Sequence, residues 1–230
     1  MSAHVTVYAR RVSSDPEVLA GLREVLDDEE RQRAARRARP AAYVTAHALL
    51  RSVASEWTGQ APGAVAFDRV CATCGSHAHG KPVLRGHEGV FVSLSYAGEL
   101  AVVAVTDAGE TGVDVEELVE AGFDGFEDVT LAQEERAAFD GVPAPGLAAA
   151  RAQVWARKES ILKASGHGLV VDPREVVVTP PSDGAALVQW RGETPLGAPV
   201  QLMDVPLPHS GYAAAVAVLT DHPVAVELRH

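Results

Sequence analysis

Short alternating runs of hydrophobic and polar residues predict β-strands in both halves of the chain. Val5 to Ala9 alternates in this way and predicts a first strand. Apolar runs at 90–94 and 100–105, connected through Ala97-Gly98, predict a β-hairpin. Further strands are predicted at 64–70, 175–179, 185–190, 200–205, 212–219 and 224–228. Proline and glycine residues separate these runs, so the strands are short and joined by turns.

A period of 3.6 residues predicts two long helices, one in each half of the chain. An apolar stripe at 43–57 predicts a helix that ends at Gly59. A second helix is predicted at 147–164 and ends before Gly166. A shorter, charged helix is predicted to begin near Asp27, because acidic residues precede basic residues there in the order that suits the helix dipole.

Two pairs of similar segments indicate an internal duplication. Leu26-Asp-Asp-Glu-Glu-Arg resembles Leu131-Ala-Gln-Glu-Glu-Arg, and a serine-led, Ala/Val-rich segment recurs at a similar offset. A duplicated half-domain gives such offsets, although chance matches in an Ala/Val-rich chain are the alternative. We therefore predict an α+β fold with two pseudo-repeated halves, 1–108 and 109–230. Each half is expected to be a small, mostly antiparallel sheet packed with helices.

The composition is that of a globular protein with an excess of acidic residues. The chain has 230 residues, 47% of them hydrophobic, and a formal net charge of −11. This charge argues against non-specific binding to nucleic acid. We expect no membrane span, since no apolar run approaches the roughly 20 residues that a span needs, and no signal peptide. The two cysteines do not form a secreted disulfide framework, so we expect a cytoplasmic protein, and two repeats in one chain favour a monomer.

A predicted strand with two carboxylates is the first candidate site. In Gly112-Val-Asp-Val-Glu, the alternation places Asp114 and Glu116 on one face of the strand and both valines on the other. Two carboxylates without a basic residue between them repel each other unless a cation lies there, and oxygen ligands suit Mg²⁺. The alternative is that these carboxylates lie on the solvent-facing side of a half-exposed strand.

The predicted long helix of the second half carries the other candidate groups. Trp155, Glu159 and Lys163 follow one another at intervals of four residues, so they share one helix face. Glu159 supplies a third carboxylate with a lysine one turn away, and an ordinary surface ion pair is the alternative. We expect Trp155 to pack the helix against the core rather than to contact a substrate.

Together these two stretches resemble the signature pair of the Sfp-type 4′-phosphopantetheinyl transferases. Gly80-Lys-Pro, then Phe91-Val-Ser-Leu-Ser, agrees with the same family, as does Leu49-Leu-Arg at the end of a predicted helix. The resemblance implies the fold of that family, with coenzyme A bound in a cleft between the two halves. It implies an enzyme that transfers the phosphopantetheine arm of coenzyme A to a serine of an apo acyl, peptidyl or aryl carrier protein and releases 3′,5′-ADP.

The resemblance also implies roles for individual residues. Asp114, Glu116 and Glu159 are expected to bind Mg²⁺, which screens the charge of the pyrophosphate of coenzyme A. Glu159 is also expected to take the proton of the acceptor serine, and Lys163 to offset charge on the departing 3′,5′-ADP. Contacts to coenzyme A are assigned to Arg51, Lys81, Ser95, Tyr96 and Lys158.

One position departs from the family pattern. Tyr96 stands where the family usually has a histidine that helps to hold the 3′-phosphate of coenzyme A, and a phenol carries no positive charge. This departure leaves open a coenzyme A-binding protein of the same fold that has lost turnover. A second alternative is a Mg²⁺-dependent nucleotide phosphohydrolase that uses the same carboxylates. A third is a zinc-binding module at Cys71 and Cys74, with His77 and His79 nearby.

Overall fold

Runs of helices separate runs of strands along the chain, which is described by a computed structural model over residues 3–70, 75–76 and 80–230. The strands are β1 (Ala3–Arg11), β2 (Phe67–Val70), β3 (Lys81–Leu84), β4 (Phe91–Ala97), β5 (Leu100–Thr106), β6 (Thr111–Glu117), β7 (Val176–Val178), β8 (Leu187–Trp190), β9 (Val200–Asp204), β10 (Tyr212–Leu219) and β11 (Val224–Arg229). The helices are α1 (Pro16–Glu24), α2 (Asp28–Ala35), α3 (Pro40–Thr58), α4 (Phe126–Thr130), α5 (Gln133–Arg136) and α6 (Ala144–Ser165).

The first sheet has the strand order β11-β1-β5-β4. β5 pairs antiparallel with β1 on one side and with β4 on the other, and β4 and β5 form the predicted hairpin. β11 comes from the opposite end of the chain and pairs parallel with β1, with Val226 opposite Val5. Helix α3 covers this sheet, because its buried residues Leu50 and Val53 pack against strand residues that include Val103.

The second sheet has the antiparallel order β6-β10-β9, and helix α6 covers it. Ile161 and Leu162 of this helix pack with Leu202 and Ala215 from the strands. Two further two-stranded sheets, β2-β3 and β7-β8, lie beside the larger ones. Each large sheet therefore has one long helix packed on it.

The two large sheets share a hydrophobic core. Val102 from the first sheet and Val113, Val115 and Val216 from the second belong to one buried cluster. Strands β4 and β6 lie side by side there, and the backbone N–H of Val113 donates to Ser93 Oγ at 3.0 Å. The carboxylate-bearing strand β6 is therefore held at the junction of the two sheets.

The predicted mixed α+β architecture of small sheets and packed helices is confirmed. Both long helices end at the expected glycines, because Gly59 and Gly166 adopt left-handed backbone angles (φ 71° and 76°) that a glycine reaches without strain. The sequence pattern does not predict α1, which Asp15 caps at its amino terminus. The division at residue 108 stays a prediction, and one strand crosses it: β11 follows the second half in sequence but lies in the first sheet.

Two other expectations concern membranes and zinc. Within the ranges described, none of the helices combines the length and hydrophobicity that a membrane span requires. The candidate zinc ligands Cys71, Cys74, His77 and His79 lie outside the described residues, so the zinc hypothesis stays a prediction.

Candidate active site

The candidate site forms where helix α6 lies directly on strand β6. Gly112 allows this contact, because a Cβ atom there would lie 2.0 Å from the carbonyl oxygen of Ser160 and 2.3 Å from the amide nitrogen of Ala164. The strand turns its two carboxylates toward α6 and its two valines into the core, as the alternation predicts. The close approach therefore brings the two signature segments together.

Asp114 lies at the centre of this contact and is 2% exposed. Its Oδ1 accepts hydrogen bonds from Lys163 Nζ at 2.5 Å and from Ser95 Oγ at 2.8 Å. Lys163 Nζ also donates to Ser95 Oγ at 2.9 Å. Burial disfavours a charged lysine, but the carboxylates of Asp114, Glu159 and Glu116 outweigh burial and raise the pKa of Lys163. Lys163 is therefore an ammonium group that links α6 to β4 and β6.

Glu116 lies beside Asp114 and is half-buried. Trp155 Nε1 donates a hydrogen bond to Glu116 Oε1 at 3.0 Å. Burial, together with the neighbouring Asp114, raises the pKa of Glu116 to about 8, because two adjacent carboxylates cannot both ionise freely. The indole ring of Trp155 packs edge-on against Phe126, with 6.5 Å between the ring centroids. Trp155 thus packs α6 as expected and also contacts a carboxylate of the site.

Glu159 lies on α6 one turn before Lys163. Burial raises the pKa of Glu159 to about 7, with Lys163 opposing this rise and Asp114 adding to it. Its Oε1 is buried and has no hydrogen-bond partner among the described residues. A carboxyl group with a pKa near 7 and an unengaged oxygen is suited to accept a proton at neutral pH.

The three carboxylates fit a cation in charge and in donor chemistry. Asp114 Oδ2, like Glu159 Oε1, is buried and lacks a hydrogen-bond partner within the described part of the chain. Burial raises the pKa of both Glu116 and Glu159, so Lys163 alone does not stabilise all three carboxylates in their ionised form. The described residues contain no group of three or more acidic, histidine or cysteine side chains already gathered around a metal position. Binding of Mg²⁺ by Asp114, Glu116 and Glu159 therefore stays a prediction.

A cavity of about 530 Å³ opens beside Lys163. Its lining includes the turn before β3, part of β4 and the segment that follows α6. Lys81 also lines it, forms an ion pair with Glu110 and donates to the carbonyl oxygen of Ala164 at 3.2 Å. Burial lowers the pKa of Lys81 although Glu110 opposes the shift. Two lysines, Lys81 and Lys163, therefore line one cavity, which suits an anionic ligand.

Arg51 does not line this cavity, which corrects its expected role as a phosphate ligand. The residue is 1% exposed. Its guanidinium group donates to Glu30 Oε2 at 2.6 Å, to Asp27 Oδ2 at 2.7 Å and to the carbonyl oxygen of Val65 at 2.7 Å. Burial opposes ionisation of Glu30, but His47 and Arg51 outweigh it and lower the pKa of Glu30 to about 2. Arg51 therefore ties α3 to the start of α2.

The expected contact of Lys158 with coenzyme A is also corrected, because the donors of this lysine are engaged inside the protein. Its side chain is fully buried, and Nζ donates to Glu135 Oε2 at 2.6 Å and to the carbonyl oxygens of Val176 at 2.7 Å and Pro173 at 3.0 Å. An ammonium group has three N–H bonds, and all three are used. Lys158 has no donor left for coenzyme A and instead anchors α6 to the segments that follow it.

A second polar cluster lies beside Tyr96. Tyr96 packs edge-on against Tyr43, with 6.4 Å between the ring centroids. The hydroxyl group of Tyr43 and Nη2 of Arg69 are both buried without a hydrogen-bond partner in the described ranges. Burial raises the pKa of Tyr43, and the nearby Arg69 and Arg33 partly lower it. Arg69 also lines the cavity. The sequence pattern misses Arg69, because this residue lies on a short strand far from both signature segments.

Comparison with known proteins bears on the second half of the chain. Residues 110–217 match the model of a family described as the 4′-phosphopantetheinyl transferase superfamily. The matched range is just under half of the chain, and it contains Asp114, Glu116, Glu159 and Lys163. No curated protein sequence is significantly similar to the chain.

Among solved structures, the chain is similar to the crystal structure of Thermotoga maritima holo-[acyl-carrier-protein] synthase. The TM-score is 0.40 and the sequence identity is 23%, over 49% of this chain and 63% of the synthase chain. The matched part therefore spans less than two thirds of that protein.

The fold therefore brings three acidic side chains and one lysine to the contact between β6 and α6. Residues 110–217, which contain these four side chains, are similar to the 4′-phosphopantetheinyl transferase superfamily.

Proposed function

We propose that this protein transfers the 4′-phosphopantetheine arm of coenzyme A to a serine of an apo carrier protein, as an Sfp-type enzyme. The serine oxygen bonds to the phosphorus that bears the pantetheine arm, and the bond from that phosphorus to 3′,5′-ADP breaks. The supporting observation is that Asp114, Glu116, Glu159 and Lys163 form one cluster inside the region that matches the family.

Glu159 is the proposed acceptor of the serine proton. Its pKa of about 7 lies near the operating pH of a cytoplasmic enzyme, where a general base is most effective. Lys163 is the proposed group that stabilises the departing 3′,5′-ADP, because it is held as an ammonium group beside the cavity. Ser95 is engaged with both Asp114 and Lys163, so its proposed place is within this cluster rather than on a nucleotide phosphate.

Asp114, Glu116 and Glu159 are the residues that would hold Mg²⁺. When bound, the ion supplies charge neutralisation for the pyrophosphate of coenzyme A. Two of their buried carboxylate oxygens, Asp114 Oδ2 and Glu159 Oε1, have no hydrogen-bond partner among the described residues and could therefore bind the ion. Deprotonation of Glu116 and Glu159 is needed for binding, so we expect the affinity for the cation to rise with pH.

The cavity of about 530 Å³ is the proposed site of coenzyme A. Lys81 and Lys163 bring positive charge to it. We assign the 3′-phosphate to Arg69 in place of Arg51, since Arg69 lines the cavity and has a buried donor without a partner among the described residues, and Tyr43 lies beside it. Tyr96 supports this site by packing on Tyr43.

Exposed apolar side chains beside the cluster support a protein as the acceptor. Phe123 and Val129 line a small cavity together with Glu116, and Val129, Leu169 and Val170 line a neighbouring one. These four apolar side chains are each 49–66% exposed. An apolar surface can dock an acidic carrier protein without placing like charges in contact, which matters for a chain with a net charge of −11.

The test is direct modification of a carrier protein. The protein is incubated with coenzyme A, Mg²⁺ and apo acyl, peptidyl or aryl carrier domains, and the carriers are weighed by intact mass spectrometry. We expect a mass gain of one phosphopantetheine arm that disappears with chelator. Glu159→Gln should slow the transfer by a factor of about 100 or more, whereas Glu193→Gln, an exposed acid in a loop far along the sequence, should not.

Two other results would replace the proposal. Release of 3′,5′-ADP without any carrier protein would indicate a nucleotide phosphohydrolase that uses the same acids. Tight binding of coenzyme A without modification of any carrier would indicate a binding protein of this fold.

A further inference from the structure

The indole ring of Trp155 is fixed on one side by a buried aromatic residue. Phe126 is 2% exposed, and its ring meets that of Trp155 at 67°. The guanidinium group of Arg151 lies 5.5 Å from the centre of the Phe126 ring and pairs with Glu127 at 2.5 Å. This stack restricts the Trp155 ring, so the direction of its N–H bond is set by α4 as well as by α6.

That N–H bond points to a candidate cation ligand. Trp155 Nε1 donates to Glu116 Oε1 at 3.0 Å, and an indole nitrogen is a donor only. The same carboxyl group neighbours that of Asp114 on one face of β6. Glu116 is therefore held between a fixed donor on one side and a second carboxylate on the other.

We propose that Trp155 is a positioning residue for the cation site. Its N–H holds the Glu116 carboxylate beside Asp114, so that the pair presents its oxygens to a divalent cation without first reorienting. Groups that orient metal ligands in this way usually change metal affinity about 10- to 100-fold when removed. The inference rests on the cation site of the proposed function, but it concerns binding of the cation and does not depend on transfer to a carrier.

Packing alone does not require tryptophan at this position. A phenylalanine ring would still meet Phe126 edge-on, and it would lack only the outer part of the indole with its N–H group. The chain also provides a matched comparison in Trp190, whose Nε1 donates to the carbonyl oxygen of Thr194 at 2.9 Å, away from the carboxylates. Replacing either tryptophan by phenylalanine removes one hydrogen bond of the indole N–H, but only the hydrogen bond of Trp155 involves a carboxylate of the site.

The experiment measures binding of Mg²⁺ alone to the purified protein by isothermal titration calorimetry. Trp155→Phe should weaken binding about 10- to 100-fold, and Trp190→Phe should leave it unchanged. Thermal unfolding without the cation should show that both variants are folded. If Trp155→Phe does not fold, 3-benzothienylalanine at position 155 keeps the ring shape and removes only the N–H.

A double-variant cycle separates positioning from a structural effect. In a Glu116→Gln background, the further change Trp155→Phe should have little effect on cation affinity, because the carboxylate that it orients is gone. Equal Mg²⁺ affinity of the wild type and a folded Trp155→Phe protein would overturn the inference, as would an equal loss in both backgrounds. In either case, continued modification of carrier proteins would leave the proposed function intact. A wild-type protein that binds no divalent cation would overturn both the inference and the proposed metal site.

Discussion

Arg51 and Arg69 differ in whether their buried N–H donors have hydrogen-bond partners. This difference distinguishes an arginine with a structural role from one that can bind a ligand. Arg51 is buried with two carboxylates and two backbone carbonyls as partners. Arg69 has a buried Nη2 without a partner in the described ranges and lines the cavity. A buried donor that lacks a partner costs free energy. A ligand that accepts a hydrogen bond from this donor removes the cost and therefore binds more tightly.

This contrast predicts different results for two similar substitutions. Arg51→Met leaves the buried Glu30 without its cation, and we expect the free energy of unfolding to fall by about 3–5 kcal/mol. Arg69→Met should change stability less but weaken binding of coenzyme A by about 10- to 100-fold. Urea unfolding and calorimetric titration measure the two effects.

Dephospho-coenzyme A, which lacks the 3′-phosphate, is the control ligand. Its affinity should be nearly the same for the wild type and Arg69→Met. An equal loss of affinity for both ligands would mean that Arg69 does not bind the 3′-phosphate.

The raised pKa values of Glu116 and Glu159 predict how stability depends on pH without a divalent cation. The ordinary pKa of a glutamate, 4.5, applies in the unfolded chain, whereas the folded values are about 8 and about 7. Between these limits the folded state binds more protons, so the free energy of unfolding contributed by these groups falls as the pH rises. Chemical unfolding in chelator between about pH 5.5 and 8.5 should show this decline.

Mg²⁺ should reverse the decline, and more strongly at the alkaline end. Glu159→Gln should flatten the dependence on pH, because glutamine does not titrate. A slope that is the same in Glu159→Gln and in the wild type would show that Glu159 keeps an ordinary pKa.

At the scale of elements, the two long helices occupy corresponding places on their sheets and carry corresponding ion pairs. Glu30, near the start of α2, binds Arg51 of α3, and Glu135, on α5, binds Lys158 of α6. Both acids also accept a hydrogen bond from a backbone N–H three residues earlier, Glu30 from Asp27 and Glu135 from Ala132. The similarity between 26–31 and 131–136 thus reflects the same structural role: in each segment a glutamate pairs with a basic residue of the following long helix. Arg51 and Lys158 fill the same position in it, so neither is free to bind coenzyme A.

The sequence could predict elements whose signal is local. The alternation of β6, the period of α6 and the glycines that end α3 and α6 each depend on neighbouring residues, and the structure has them at nearly the predicted positions. Contacts between distant segments leave no such pattern. The hydrogen-bond partners of Arg51 and Lys158 come from segments that are brought together only by folding. Arg69 lines the cavity from a strand of only four residues.

The contact between β6 and α6 depends on one glycine. Gly112→Ala would place a methyl group on the backbone of α6, so the helix must shift away from the strand. We expect a loss of about 1–3 kcal/mol of stability from overpacking and a larger loss of transfer activity, because Asp114 and Lys163 separate. Gly184→Ala is the control, since a Cβ there meets nothing within 4 Å. Full activity in Gly112→Ala would show that the site tolerates this shift.

At the scale of the whole molecule, the two large sheets are joined by a shared core and by the path of the last strand. β11 pairs with β1 in parallel from Ala3 opposite Val224 to Tyr8 opposite Arg229. Deletion of Val224–Arg229 would leave one edge of β1 unpaired and remove Val224, Val226 and Leu228 from the margin of the shared core.

We expect this deletion to lower the midpoint of thermal unfolding by more than 10 °C, since it removes a whole strand and its apolar contacts (a loss of about 1 kcal/mol shifts the midpoint by roughly 2–4 °C in a chain of this size). Glu227→Gln, an exposed change on the same strand, should shift it by less than about 2 °C. An unchanged midpoint after the deletion would show that β11 contributes little to the first sheet.

The pairing of β1 with β11 also affects the order of events during synthesis. The amino-terminal strand leaves the ribosome long before residues 224–229 are made. One edge of β1 therefore stays unpaired while the rest of the chain is translated. Such an edge is a template for unwanted strand pairing with other nascent chains. The interval between the first strand and its last partner is therefore when this protein is most prone to aggregate, and slower elongation or a lack of chaperones should reduce its soluble yield.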